Sequence, residues 1–230
     1  MEPKVSMMLD PNDLVTRAIL MNGTWEPATL HELQQHMPAG GTFIDVGAHV
    51  GWYSLHAAKV LGPSGHVIAV EPNPATLAKL NANIAANGDG NVIAVAPVAC
   101  SDAEGTLTLY AAPRSNTGES SLSKANASQE GQVSAAVQVR ARRLDDIIQE
   151  AKLARVDLIK IDVEGADLLV LKGAAGTLDR YRPVVVVEVV DHQLREMGGS
   201  EAELLAFMTS HGYSAKRSFE QNTEFVPAGR

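Results

Sequence analysis

In the stretch IKIDVEG, residues 159–165, Lys160, Asp162 and Glu164 alternate with Ile161 and Val163 at the end of an apolar run. On a strand this period of two puts all three charged side chains on one face. Unpaired charge is costly to bury, and buried strands are ordinarily near-continuous apolar runs. Asp162 is therefore the candidate acid of a site, and Lys160, two residues deeper, its buried counter-ion. Glu164 precedes Gly165 and reads two ways, as a ligand contact or as the acid that opens the next helix. Glu188 raises the same question, because it is the one acid in PVVVVEV.

Two earlier runs also end in acids. In FIDVGAHVGWYS, residues 43–54, Asp45 closes an apolar run, and Gly47 and Gly51 bracket the turn into a helix. Glycines there permit a tight backbone and close ligand approach, and the helix N-terminus offers free N–H donors. In VIAVEPNP, Glu71 ends the next run. It stands about 20 residues past the glycine turn, the offset expected of an acid that accepts hydrogen bonds from ribose hydroxyls. The turn reads D-V-G-A-H-V-G, not the G-x-G-x-x-G of dinucleotide sites, which argues against a nicotinamide-dependent oxidoreductase.

These residues need a scaffold that brings strand ends together. Strands are expected at 42–46, 66–71, 92–96, 156–163 and 183–189, with helices at about 51–61, 74–87, 144–152, 165–178 and 200–211 between and after them. The alternation predicts parallel βαβ units in a doubly wound, Rossmann-like α/β fold, where ligands bind outside the carboxyl ends of the strands. The tail YSAKRSFEQNTEFV adds a closing antiparallel pair. The expected sheet is thus seven-stranded and mostly parallel, with an antiparallel last strand. GTLTLY (105–110) and VQVRAR (137–142) interrupt the third crossover, and the polar loop between them, 113–131, is long enough to suggest function. Residues 1–40 are read as an N-terminal helical cap: a helix capped by Asn12 or Asp13 and ended by Gly23, then a second in TWEPATLHELQQHM. Residues 41–230 form the catalytic domain on this reading.

The formal net charge of −8 argues against a nucleic-acid surface as the main function, and VRARR at 139–143 reads as a solvated strand end. Cys100 is the single cysteine, which fits a reducing compartment and a small buried apolar side chain. MEPKVSMMLDPND lacks a basic region followed by an apolar core, and no run reaches the ~20 apolar residues of a membrane span. A cytoplasmic protein without membrane or nucleic-acid partners is expected.

The residues resemble class I S-adenosylmethionine-dependent methyltransferases, and the order of several motifs resembles the FkbM family. These are FIDVGAHVGWYSL, GHVIAVEPNP, VACSDAEGTLTLY, NTGESSL, VDLIKIDVEGADLLVLKGA and RPVVVVEV, spread over roughly 43–190. His49 stands where the family often has Asn, and Asp167 where Glu is frequent. The resemblance implies that Asp45, Gly47 and Gly51 surround the methionine part of S-adenosyl-L-methionine and that Glu71 holds the ribose. It implies too that Ser101 and Asp102 reach the adenine, although SD also reads as a turn into AEG.

Asp162 would lie beside the cofactor and approach the acceptor. Asp162, Glu188 and His49 are the candidate catalytic groups, with His192 a further imidazole and His56 a packing or surface residue. Trp25, Trp52 and Tyr53 either surround ligands or fill the core. The expected reaction is O-methylation of a hydroxyl on a small-molecule acceptor, a sugar or natural product, a substrate class implied by the resemblance alone. An N- or carboxyl-methyltransferase and a non-catalytic cofactor-binding protein of the same fold are the alternatives. Asp162 and Glu164 also raise a divalent metal such as Mg, without enough ligands to assert one. The reading allows a homodimer.

Overall fold

A computed structural model describes residues 4–127 and 132–229. Its main sheet has seven strands: β1 (Thr42–Val46), β2 (His66–Val70), β3 (Ile93–Ala96), β7 (Leu158–Ile161), β8 (Val184–Glu188), β9 (Tyr213–Phe219) and β10 (Asn222–Pro227). Their order is β3-β2-β1-β7-β8-β10-β9. The pairs from β3 to β8 are parallel, and β10 runs antiparallel to both β8 and β9. This is the doubly wound sheet expected from the alternation of apolar runs. Chain order reverses between β1 and β7, where open α/β sheets leave a crevice for ligands.

Alternation along the strands sorts two cores. Ile44 and Val46 of β1, Ile159 and Ile161 of β7, and Val185 and Val187 of β8 pack on one face. Phe43, Leu158, Val184 and Val186 pack on the other, beneath α3 (Trp52–Leu61). Asp45 and Lys160 are register partners. Both belong to the alternate positions that face α3, so each enters a core that is otherwise apolar.

The N-terminal segment joins that same core. Helix α1 (Leu14–Asn22) is capped by Asp13, whose side chain accepts from Thr16 N, and ends at Gly23 with φ 75°. Helix α2 (Pro27–Gln35) follows. Val15, Ile19, Leu30 and Leu33 from this segment pack with Phe43, Trp52 and Leu55.

Several elements depart from the sequence reading. Ladder pairing in β7 stops at Ile161, short of the expected 163, and the chain then turns through Glu164 at φ 54°. Asp162 therefore lies just past the strand and Glu164 sits in a left-handed turn, so the three charges do not form one strand file. The helix expected at 165–178 is two helices, α6 (Asp167–Lys172) and α7 (Ala175–Tyr181), separated at Gly173 and Ala174. His192, expected in a loop, lies on the short helix α8 (Asp191–Glu196).

GTLTLY and VQVRAR become β5 (Gly105–Ala111) and β6 (Ala135–Arg142), antiparallel partners in a separate three-stranded sheet with β4 (Ala99–Cys100). Of the 113–131 loop, 114–119 form a 3₁₀ turn and 128–131 lie outside the described residues, as do 1–3 of the expected cap. The remaining helices are α4 (Pro74–Asn87), α5 (Leu144–Glu150) and α9 (Glu201–Ser210).

Because Leu33 is fully buried in the core it shares with β1 and α3, Leu33→Ala is expected to destabilise the whole protein by about 2–5 kcal/mol. Denaturant melts followed by far-UV signal and by tryptophan fluorescence should stay coincident. A separate early transition would mean that the N-terminal helices fold apart from the sheet.

Candidate active site

Glycine at position 47 is dictated by the neighbouring strand end. Its φ is 87°, and a Cβ built there would fall 1.8 Å from the carbonyl oxygen of Asp162. The β1 turn and the β7 end therefore touch backbone to backbone, which brings the two acid-bearing segments together. Gly51 serves packing instead. It opens α3 at φ 95°, and a Cβ there would meet Leu80 of α4 at 2.7 Å. It lines neither of the two cavities that meet at this turn. Gly51, expected beside the methionine part of a cofactor, is held to glycine here by the packing of α3 on α4.

The first cavity lies over the ends of β1 and β2. Val46, Val70, Val98 and Leu109 give it apolar walls, and Glu71 gives it a carboxylate. Glu71 Oε2 accepts from His49 N at 3.0 Å and Oε1 from Asn73 N at 2.8 Å. Each oxygen keeps a lone pair for a further donor. Burial nonetheless pushes the Glu71 pKa up to about 7.

Ala99 and Cys100 line this cavity, whereas Ser101 and Asp102 flank a separate depression with Leu107 and Tyr110. Ser101 N donates to Arg142 O, Ser101 Oγ donates to Asp102 Oδ1 at 3.2 Å, and Asp102 is exposed. Ser101 and Asp102, expected at the adenine, lie beside this cavity and outside its lining. The pair forms the turn into β5, and the residues just before it face the cavity.

The second cavity carries five acidic side chains: Glu26, Glu119, Asp162, Glu164 and Glu188. Trp25, Trp52 and Tyr53 supply aromatic walls, and among the described residues no Lys or Arg lines it. Both cavities share Gly47, His49, Gly118 and Asp162, so one wall separates them.

Behind that wall Lys160, 1% exposed, donates from Nζ to Asp162 Oδ2 at 2.7 Å and lies 4.8 Å from the Tyr53 ring centroid. Burial alone would lower the lysine pKa, but Asp162, Glu26 and Asp45 outweigh it and hold the ammonium charged. Asp45 accepts from Ser54 Oγ at 2.6 Å through Oδ2, while Oδ1 is buried without a hydrogen-bond partner. Its pKa is pushed up to about 6, mainly by burial.

Glu164 and Glu188 are raised far above the usual carboxylate range, by burial first and then by the negative charge of Asp162 and Asp167. Gln193 Nε2 donates to Glu164 Oε2 at 2.7 Å, and Glu188 Oε2 is buried and unpartnered. One oxygen each from Asp162, Glu164 and Glu188 lies within 4.8 Å of the others. An all-oxygen set of this kind suits a hard divalent cation, with water or acceptor oxygens completing the shell. A second candidate group, Glu32, His36 and Glu224, is already served by Arg217, whose Nε donates to Glu224 Oε2 at 2.6 Å.

His49 stands in the shared wall at φ 50°, its Nε2 2.8 Å from Thr117 Oγ1, and burial pushes its pKa down to about 4. His192 is exposed on α8 and lines neither cavity, while its neighbour Gln193 faces in. His56 is a packing residue, its ring 4.2 Å from Trp52 by centroid. Glu26 was not foreseen. Its position before Pro27 reads as an ordinary helix start, yet it accepts from Tyr53 Oη at 2.6 Å and lines the acidic cavity. Gln193 carried only the weak signal of an amide one residue past the histidine.

A cavity at the sheet's reversal point, an acid at the end of β2 and a glycine turn at the end of β1 are the arrangement of Rossmann-like, S-adenosylmethionine-dependent methyltransferases. Residues 45–215 match the Methyltransferase FkbM domain, and the chain belongs to that family. It is 30% identical to Methyltransferase sdnD of Sordaria araneosa over 79% of this chain and 77% of that protein. It is 29% identical to 2-O-methyltransferase NoeI of Sinorhizobium fredii over 66% of this chain, spanning 65% of that protein. The fold matches the crystal structure of Methyltransferase FkbM from Methylobacillus flagellatus with TM-score 0.55 and 17% identity, over 96% of this chain and 56% of that one. Among the described residues no helix is long and apolar enough to cross a membrane.

Two outcomes follow from the buried charges. Asp45, Glu71 and Asp167 have folded pKa values raised to about 6, about 7 and about 7. A raised acid binds more protons folded than unfolded, so its contribution is full below the unfolded pKa of about 4 and is lost as pH rises through the folded value. Thermal melts of the ligand-free protein should therefore show Tm falling between about pH 5 and about pH 8. Lys160→Met removes the ammonium facing Asp162, Asp45 and Glu26. It should cost about 3–5 kcal/mol in denaturant melts at neutral pH, and a loss below 1 kcal/mol, roughly that of a surface pair, would deny the lysine its role.

Proposed function

We propose that the chain is an S-adenosylmethionine-dependent O-methyltransferase acting on a hydroxyl of a neutral or positively charged small molecule, in the sugar or natural-product class. The observation that carries this reading is the common wall. Gly47, His49, Gly118 and Asp162 line both cavities, so a donor in one and an acceptor in the other meet beside two proton-accepting side chains.

The residues present fit the cofactor. Glu71 lines the first cavity, and its oxygens keep lone pairs for ribose hydroxyls. When bound, S-adenosylmethionine supplies a methyl group on a sulfonium for in-line displacement. Asp162 offers negative charge beside that centre, with its carboxylate oriented by Lys160. Trp52 and Tyr53, both buried, help to exclude water from the acceptor side. Glu164 and Glu188 bound the acceptor space, and among the described residues no Lys or Arg lines it to pair with an anionic acceptor, which selects against one.

The acidic lining also favours a second reading, N-methylation of an amine. Carboxyl-methylation is disfavoured by the same charges. The small-molecule acceptor, the absence of nucleic-acid and membrane partners, and a cytoplasmic site belong to this proposal as well.

Calorimetry with S-adenosylmethionine and S-adenosylhomocysteine tests the first step, and no binding at millimolar concentration would end the methyltransferase reading. With labelled methyl donor, a panel of neutral polyols, amines and uronic acids should give transfer to polyols before amines, and none to uronic acids. Asp162→Ala is expected to lower turnover by at least about 100-fold while S-adenosylhomocysteine still binds.

A further inference from the structure

The wall between the two cavities is tied to the N-terminal helix through one buried carboxylate. Asp13, fully buried, accepts from Thr16 N and Thr16 Oγ1 at 3.0 Å through Oδ1. Its Oδ2 accepts from Thr117 N at 2.8 Å and from Thr117 Oγ1 at 2.7 Å. Burial would raise this acid, but the hydrogen bonds from Thr16 and Thr117 outweigh it, so its pKa lies below the usual value and it is ionised at neutral pH. An ionised carboxylate only accepts.

That fixes the direction of the next bond. Thr117 has one hydroxyl proton, and Asp13 takes it. Thr117 Oγ1 must then accept from His49 Nε2, 2.8 Å away, and Nε2 must carry hydrogen. With the ring neutral, Nδ1 is left as its one basic atom, and among the described residues Nδ1 has no hydrogen-bond partner. The charged groups acting on the ring are Asp13 and Asp162, which favour its protonation, and Lys79, which opposes it, while Glu71 holds the His49 backbone N–H.

We propose that Asp13 and Thr117 are positioning residues that lock His49 in the Nε2–H tautomer, making Nδ1 the proton acceptor where donor and acceptor cavities meet. This rests on the methyltransferase reading and adds to it. As an acceptor oxygen takes the methyl group and the sulfur keeps the bonding pair, the hydroxyl proton passes to Nδ1. The positive charge that forms on the ring then faces the Asp13 carboxylate through Thr117. The proton leaves to solvent when the ring returns to neutrality. Asp13 belongs to the N-terminal segment and Thr117 to the 3₁₀ turn, so the tautomer depends on both being packed against the sheet.

The test is spectroscopic. Imidazole ¹⁵N–¹H correlation spectra at neutral pH, with His49 assigned by difference from His49→Asn, should show a neutral Nε2–H ring in the wild type. Asp13→Asn keeps a good helix cap but can donate to Thr117, turning the Thr117 proton toward His49 and shifting the ring to Nδ1–H. Thr117→Val should give a mixture of tautomers, and Thr117→Ser should restore the wild-type spectrum. A wild-type ring that is Nδ1–H or an imidazolium overturns the proposal, as does an unchanged tautomer in both Asp13→Asn and Thr117→Val. Calorimetry with S-adenosylhomocysteine on each protein separates the two levels. Failure of the wild type to bind it removes the methyltransferase reading, whereas normal binding with the wrong tautomer removes only the role of Asp13 and Thr117.

Discussion

A single buried ammonium holds the site together. Lys160 enters the core from the middle of the sheet, where an apolar side chain would be the ordinary choice, and is stabilised there by its contact with Asp162 and by the carboxylates of Glu26 and Asp45. Removing water from a charge is costly unless opposite charge and hydrogen bonds replace the lost hydration. Lys160 and the acids therefore require each other. The lysine is at register with Asp45 on β1, across the reversal point of the sheet, so the same contact that neutralises it also fixes the two strand ends that face the cavities.

The charge balance at this end of the sheet is incomplete. Among the described residues Lys160 pairs directly with Asp162, Asp45 Oδ1 and Glu188 Oε2 stay buried without partners, and Glu164 has the amide of Gln193 on its carboxylate. Glu164 and Glu188 rest protonated at neutral pH, which lowers their cost in the ligand-free protein, whereas Asp45, raised to about 6, is protonated only below that. They also leave a surplus of potential negative charge beside the position proposed for a cationic donor. Backbone strain is concentrated in the same place. His49 and Glu164 both adopt positive φ, in turns that flank the wall shared by the cavities.

Much of this was legible because strands and acids write short-range signals. Apolar runs of four or five residues marked the parallel strands, and Asp45, Glu71, Asp162 and Glu188 stood out as acids at their ends. Helix α4 follows its expected bounds, since Asn73 caps it, Pro74 opens it and Gly88 ends it. What failed was set by tertiary geometry. Whether Asp102 faces a cavity depends on where the chain leaves β4, which the neighbouring strand β6 decides. Gln193 faces in and His192 out because α8 starts at Asp191, a helix of six residues too short to leave a periodic pattern. Glu26, Asp13 and Thr117 reach the site from segments distant in sequence, and no local spacing joins them to His49.

That distance bears on how the fold divides its tasks. The segment matched by the FkbM domain begins at residue 45, whereas Leu14, Val15, Trp25 and Glu26, which line the acidic cavity, precede it. The first cavity draws its strand-end walls from within the matched segment. Sheet ends constrain one another through register and through Lys160, so their residues have little freedom to change singly. The exposed Leu14 of α1 and the partly buried Trp25 just before α2 answer only to packing and can vary in shape at smaller cost, whereas Glu26 is tied to Lys160 and Tyr53. On the function proposed, donor chemistry resides in the constrained part and acceptor choice in the freer one. The Asp13–Thr117–His49 chain is then the link by which the freer part acts on the proton-accepting atom of the constrained part.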